Sequence, residues 1–84
     1  MGGIRIYTTQ WCGFCSAAKA LLDRAGLPYE EVSLDDDPGF RQRLLDETGG
    51  WTVPQITVGS TRVGGYSELK RLGLERLRDL AAAA

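Results

Sequence analysis

Histidine is absent from the chain, and only two of its 84 residues are cysteine. Without an imidazole there is no histidine general base, no Cys–His nucleophile pair and no His-ligated metal. Two thiols by themselves also fall short of the four ligands of a structural zinc site. No apolar run approaches the roughly 20 residues that cross a bilayer, so no membrane partner is expected. The opening Met1-Gly2-Gly3-Ile4-Arg5 holds no signal-peptide apolar stretch, and Ile6 stands where a myristoylation pattern needs Ser or Thr. The expected location is therefore the reducing cytoplasm. Concentrated charge is missing too: ten Lys and Arg against eleven Asp and Glu leave a net charge of −1. The basic residues are spread along the chain, which excludes a polyphosphate-binding patch and makes nucleic acid an unexpected partner.

What is present fits one small domain, 1–84. Hydrophobic residues at 43% and charged residues at 25% describe a soluble, globular chain rather than a disordered one, with a core limited by its length. Ile4 to Thr8 alternates as a strand, with Ile4, Ile6 and Thr8 on one face and Arg5 and Tyr7 on the other. Ala17, Ala18, Leu21, Leu22 and Ala25 recur at helical spacing, while Lys19, Asp23 and Arg24 fall on the wet side. Gly26 and Pro28 end that helix. Tyr29 to Leu34 is a second strand, and strand, helix and strand make a βαβ unit with parallel strands. Asp36-Asp37-Pro38 is expected to open a second helix with an Asp cap. Phe40, Leu44 and Leu45 supply its apolar face, and Gly49-Gly50 ends it. Gln55 to Val58 and Thr61 to Val63 flank Gly59-Ser60 as a hairpin. A last helix is expected with Ser67 as its N-cap and Leu69, Leu72, Leu77 and Leu80 buried. Gly73 is a candidate break within it, and the four terminal alanines are expected to fray.

The two cysteines are the chemistry-bearing residues. Cys12 and Cys15 enclose two residues directly after the first strand, where the first helix begins. In a chain without an export signal such a pair serves catalysis or metal binding more often than structure. Helix-start N–H groups and the helix dipole favour a thiolate there, and CxxC thiols in this setting ionise at roughly pH 3.5–7.5. Cys15, one turn in, is expected to be more buried. Cys12 is thus the attacking thiol and Cys15 the resolving one. Thr52-Val53-Pro54 precedes the hairpin, and Gly64-Gly65-Tyr66-Ser67-Glu68 opens the last helix, whose free N–H groups suit a carboxylate.

Five stretches in order carry a resemblance: Ile6-Tyr7-Thr8-Thr9, Trp11-Cys12-Gly13-Phe14-Cys15, Ala18-Lys19-Ala20-Leu21-Leu22, Thr52-Val53-Pro54-Gln55-Ile56 and Gly64-Gly65-Tyr66-Ser67-Glu68-Leu69. Together they span nearly the whole chain, which resembles the glutaredoxin family as a small dithiol member with a CGFC site. The resemblance implies an α/β thioredoxin fold, with a mixed four-stranded sheet and three main helices in the order β-α-β-α-β-β-α. It also implies a cis Val53–Pro54 bond, with the Val53 backbone turned to Cys12 and open to pairing with an extended substrate. The implied activity is thiol–disulfide exchange on glutathionylated or disulfide-containing proteins, with glutathione as co-substrate. The implied glutathione site takes in Thr9, Phe14, Arg41, Thr52, Val53, Pro54, Gly65, Tyr66, Ser67 and Glu68. Arg41 would meet the glycine carboxylate, and the helix start around Gly65 the γ-glutamyl carboxylate.

Three departures from the family pattern stand out. Gly13-Phe14 replaces the usual Pro-Tyr pair, Thr9 stands where typical members carry lysine, and Trp11 replaces a small polar residue and is expected as a wall of the groove. The same motifs leave other readings open. One is a mycoredoxin-like or thioredoxin-like reductase. Another is a carrier or sensor of a [2Fe–2S] cluster, held by Cys12 and glutathione from each of two copies. A monomer is expected, and a dimer only with a cluster; no other metal is expected.

Overall fold

The structure, a computed structural model, describes residues 3–10 and 12–83. Four strands and four helices follow one another as β1 (Ile4–Thr8), α1 (Gly13–Arg24), β2 (Tyr29–Ser33), α2 (Phe40–Thr48), β3 (Gln55–Val58), β4 (Thr61–Gly64), α3 (Tyr66–Leu72) and α4 (Leu74–Ala83). The sheet runs in the order β2-β1-β3-β4. β2 pairs parallel to β1, β3 antiparallel to β1, and β4 antiparallel to β3. The mixed sheet is the one expected.

Period-two alternation in the strands sends apolar side chains to both faces, and both are covered. Ile4 and Ile6 of β1 and Ile56 and Val58 of β3 pack with Ala18 and Leu22 of α1, Leu69 of α3 and Leu77 of α4. Tyr7 faces the other way and joins Leu34 and Leu44 beneath α2. The Tyr7 hydroxyl donates to Glu47 Oε1 at 3.1 Å, so its polar tip is satisfied.

The helices differ from expectation in several places. α2 does not open at Asp36-Asp37-Pro38. Asp37 instead closes a turn: its carboxylate accepts from the Gly39 N–H at 2.9 Å and its carbonyl from the Phe40 N–H at 3.1 Å. An Asp side chain that captures an N–H two residues on makes a turn in place of a cap. The helix therefore starts at Phe40, with Gly39 as N-cap and no side-chain cap. Leu45 is 39% exposed, off the face that Leu44 buries. The N-cap of α3 is Gly65, so Ser67 lies inside the helix rather than at its cap. The expected single last helix is two, because Gly73 takes φ 83°, ψ 154°, a conformation outside any helix. The alanine tail is ordered as helix through Ala83, while Ala84 lies outside the described residues.

Candidate functional site

Cys12 is the N-cap of α1. Its backbone is extended (φ −100°, ψ 104°) and its sulfur accepts the Cys15 N–H at 3.1 Å, the place an Asp or Ser oxygen usually takes. The Cys12 carbonyl accepts the Ser16 N–H at 3.2 Å and starts the helix. The thiol in turn donates toward the Val53 carbonyl across 3.8 Å. One half-buried sulfur thus touches the helix start on one side and the Thr52–Pro54 segment on the other. The Val53–Pro54 bond is cis, as expected.

Cys15, one turn later, is only 2% exposed. Burial pushes its thiol from an ordinary value of 9.0 up to about 12, and hydrogen bonding to Cys12 adds to the rise. A backbone hydrogen bond from Thr9 and the charge of Lys19 act in the opposite direction. Both thiols are free. The pair therefore divides into an accessible, backbone-solvated sulfur and a sequestered, protonated one.

A cleft of about 180 Å³ lies beside Cys12, lined by Phe14, Thr52, Val53, Pro54, Gly65, Tyr66, Ser67 and Glu68. Three distant segments thus bring eight of the ten residues of the implied ligand site together. Phe14, 65% exposed at the start of α1, and Tyr66, at the start of α3, face each other with ring centroids 5.9 Å apart and form an aromatic wall. Lys70 places its Nζ 5.6 Å from the Tyr66 ring centre on the far side. At the start of α3, Glu68 accepts the Gly65 N–H at 2.8 Å. Gly64 makes that reach possible: at φ 114° a Cβ there would lie 2.8 Å from the Glu68 carboxylate. The amides of Tyr66 and Ser67 have no helical acceptor by position and point out of the helix start.

Thr9 and Arg41 do not line the cleft. Thr9 serves Cys15 through its backbone. Arg41 lies over the Phe40 ring, 5.0 Å from its centre, and donates to the Trp51 carbonyl at 3.0 Å. It is tied to the loop that enters the cleft and not to the cleft wall. Trp11 lies outside the described residues. Sequence reasoning passed over Gln55: its Nε2 donates to the Thr52 carbonyl at 2.9 Å, and the side chain sits against Gly50 with no space for a Cβ. A polar residue in a strand whose every residue is buried was the available signal. Among the described residues, no group of three or more His, Cys, Asp or Glu could hold a metal ion. No helix of the described residues is long and apolar enough to cross a membrane.

Known proteins share this arrangement. The family model for glutaredoxin matches residues 4–63. A glutaredoxin of Pseudomonas aeruginosa is 44% identical over 72 residues, covering 86% of each chain. Glutaredoxin 3 of Escherichia coli is 35% identical over 72 residues, covering 86% of this chain and 87% of its own. The crystal structure of a buckwheat glutaredoxin–glutathione complex superposes with a TM-score of 0.84 at 26% identity, covering 98% of this chain and 78% of that one. The CxxC pair at a helix start beside a cis-proline loop, the mixed sheet and these matches agree: the chain belongs to the glutaredoxin family of thiol–disulfide oxidoreductases.

Proposed function

We propose that the chain, acting as one domain, is a glutathione-dependent reductase of protein–glutathione mixed disulfides and protein disulfides, with Cys12 as nucleophile and Cys15 as resolving thiol. The observation that carries this reading is the asymmetry of the two sulfurs. Cys12 is half-buried against Val53 of the cleft wall and receives a backbone N–H, whereas Cys15 is buried and held protonated. A thiolate attacks one sulfur of a disulfide in line and expels the other. Attack by Cys12 on a glutathionylated protein releases the protein thiol and leaves glutathione on Cys12. A second glutathione or Cys15 then frees it.

The cleft suits the tripeptide. Val53 lies outside the strand ladder, so its backbone is available to an extended peptide as an added strand. The amides of Tyr66 and Ser67 suit the γ-glutamyl carboxylate, and the Glu68 carboxylate suits the ammonium group of the same residue. Phe14 and Tyr66 flank the thiol-bearing segment. Thr52 and Pro54 shape the opposite wall, and Arg41 holds that wall through Trp51. The buckwheat relative is described in complex with glutathione, which supports the same ligand here. The cluster reading, which would use Cys12 and glutathione from each of two copies, has no observation in its favour.

Purified protein is to be assayed against a glutathionylated peptide and a protein disulfide, with glutathione and with mycothiol as reductant. Cys12→Ser is expected to lose both activities by more than a hundredfold. Cys15→Ser is expected to keep the first and lose the second. Equal loss in the two variants removes the role assignment, and preference for mycothiol removes the glutathione assignment.

A further inference from the structure

Lys19 stands on α1 four residues after Cys15, a spacing that puts two side chains on one helix face. Sequence patterning alone assigns it to the wet side, yet it is half-buried and tied down. Its Nζ donates to Glu31 Oε2 on β2 at 3.1 Å. The same carboxylate oxygen accepts the hydroxyl of Thr8, buried at the end of β1, at 2.7 Å. Thr9, the next residue, turns its backbone to the Cys15 sulfur. Glu31 thus ties Thr8 at the end of β1 to Lys19, which stands one helical turn after Cys15. A lysine side chain loses considerable rotamer freedom when fixed in this way, and a partly exposed ion pair returns little stability. Structural stability is therefore a weak reason for fixing Lys19 in this place, one turn from Cys15.

That place matters in the resolving step. Once Cys12 is held in a mixed disulfide, Cys15 must ionise in a place almost closed to water, where an uncompensated charge is costly. The titratable groups that act on Cys15 are Cys12 at the head of α1 and Lys19; Lys19 in turn meets Glu31 and Tyr29 of β2, and Asp35, just beyond β2, acts on Glu31. Lys19 is the one cation among them.

Resting on the reading of Cys12 as attacking and Cys15 as resolving sulfur, we propose that Lys19, held by Glu31 and Thr8, is a positioning residue for resolution: its ammonium favours the Cys15 thiolate that attacks the Cys12 mixed disulfide. Cys15 gives its proton to solvent and its sulfur electron pair forms the bond to Cys12 Sγ. The bond from Cys12 to the substrate sulfur breaks, and that sulfur leaves with both electrons and takes a proton from solvent. The Cys15 sulfur is oxidised from thiolate to disulfide level, the substrate sulfur is reduced from disulfide to thiolate, and the Cys12 sulfur stays at the disulfide level throughout. The charge of Lys19 pulls the Cys15 thiol down against its burial, in the direction this step needs.

The test separates the two sulfurs. Reduced protein is mixed with less than one equivalent of 5,5′-dithiobis(2-nitrobenzoate) and release of the yellow thiolate is followed by stopped flow. The first phase reports attack by Cys12 and the second attack by Cys15 on the resulting mixed disulfide. A nearby opposite charge shifts a thiol by about one pH unit, so about tenfold in thiolate. The lower nucleophilicity of a more acidic thiol offsets part of that gain. Lys19→Met is expected to leave the first phase unchanged, which also shows that the site is folded. It is expected to slow the second phase about threefold at pH 7 and to move its pH profile to more alkaline values. Lys19→Arg is expected to restore both. A second phase with the same rate and profile in Lys19→Met as in the parent overturns the proposal, as does a loss that Lys19→Arg does not rescue. Absence of a second phase in the parent, or its persistence in Cys15→Ser, instead overturns the assignment of Cys15 as resolving thiol.

Discussion

Cys12 and Cys15 carry the same thiol three residues apart, and environment alone makes them different. Cys12 caps a helix and meets solvent, while Cys15 points into the packing between α1 and the sheet. A thiol raised from 9.0 to about 12 by burial has a consequence for stability. Below pH 9 both folded and unfolded chains hold the Cys15 proton and there is no effect. Between pH 9 and 12 the unfolded chain releases it and the folded chain keeps it, so the unfolded state gains and stability falls as pH rises. Urea unfolding of the fully reduced protein is expected to show an alkaline slope steeper than that of Cys15→Ser by up to about 1.4 kcal/mol per pH unit. Parallel pH profiles for the two proteins would show that Cys15 is not held protonated by the fold. The spacing of the pair was readable in the sequence, and the order of their reactivity followed from which of them starts the helix. What sequence did not reveal was the second layer around Cys15, because Thr8, Glu31 and Lys19 are scattered over 23 positions and meet only when β1, α1 and β2 pack.

Helix ends gave the sequence reading most of its errors. Asp, Pro and Ser signal caps and turns alike, since each competes for nearby backbone donors. At Asp37 the turn won, because the chain leaving β2 has to reverse before α2 begins. At Ser67 the cap had already been made two residues earlier, where Glu68 reaches back to the Gly65 N–H. Gly73 was legible as a break, and the structure gives the reason. At φ 83° and ψ 154° it occupies a region essentially restricted to glycine, with nothing within 4 Å of where a Cβ would stand. Gly73→Ala therefore meets no steric clash with neighbours and reports backbone strain alone. It is expected to cost about 1–3 kcal/mol in chemical denaturation, with Cys12 reactivity unchanged. A neutral substitution would mean that α3 and α4 can join without disturbing the packing of Leu69 and Leu77.

The whole molecule holds its site between two small cores. One, built on Ile4, Ile6, Ile56 and Val58, secures α1, α3 and α4. The other has only Tyr7, Leu34 and Leu44 fully buried and secures α2, with Val53 of the docking segment packed against it. An 84-residue chain has little stability to spare, so each core is expected to be indispensable. Leu22→Ala and Leu44→Ala are each expected to cost about 2–5 kcal/mol. Leu44→Ala should in addition weaken capture of glutathionylated substrate, because Val53 rests on the same cluster. Calorimetry and a substrate titration check the pair. A Leu44→Ala protein that is destabilised but binds normally would show that the segment from Thr52 to Pro54 is held by Pro54 and Gln55 alone.

The family resemblance supplied the mixed sheet and eight of the ten site residues now found around one cleft; the sequence by itself determined the dithiol at the head of α1 and, apart from the split last helix, the element order. Local chemistry suffices there: period-two and helical patterning, a Gly-Ser turn and cysteines at a helix start are short-range signals. Tertiary structure alone decided that Arg41 braces a loop instead of lining the cleft, that Gln55 fixes the Thr52 carbonyl, and that Lys19 is anchored to Glu31. Those outcomes depend on which strand and helix ends meet in space. No pattern along 84 residues records the distance between a side chain and a partner brought to it by the packing of a sheet.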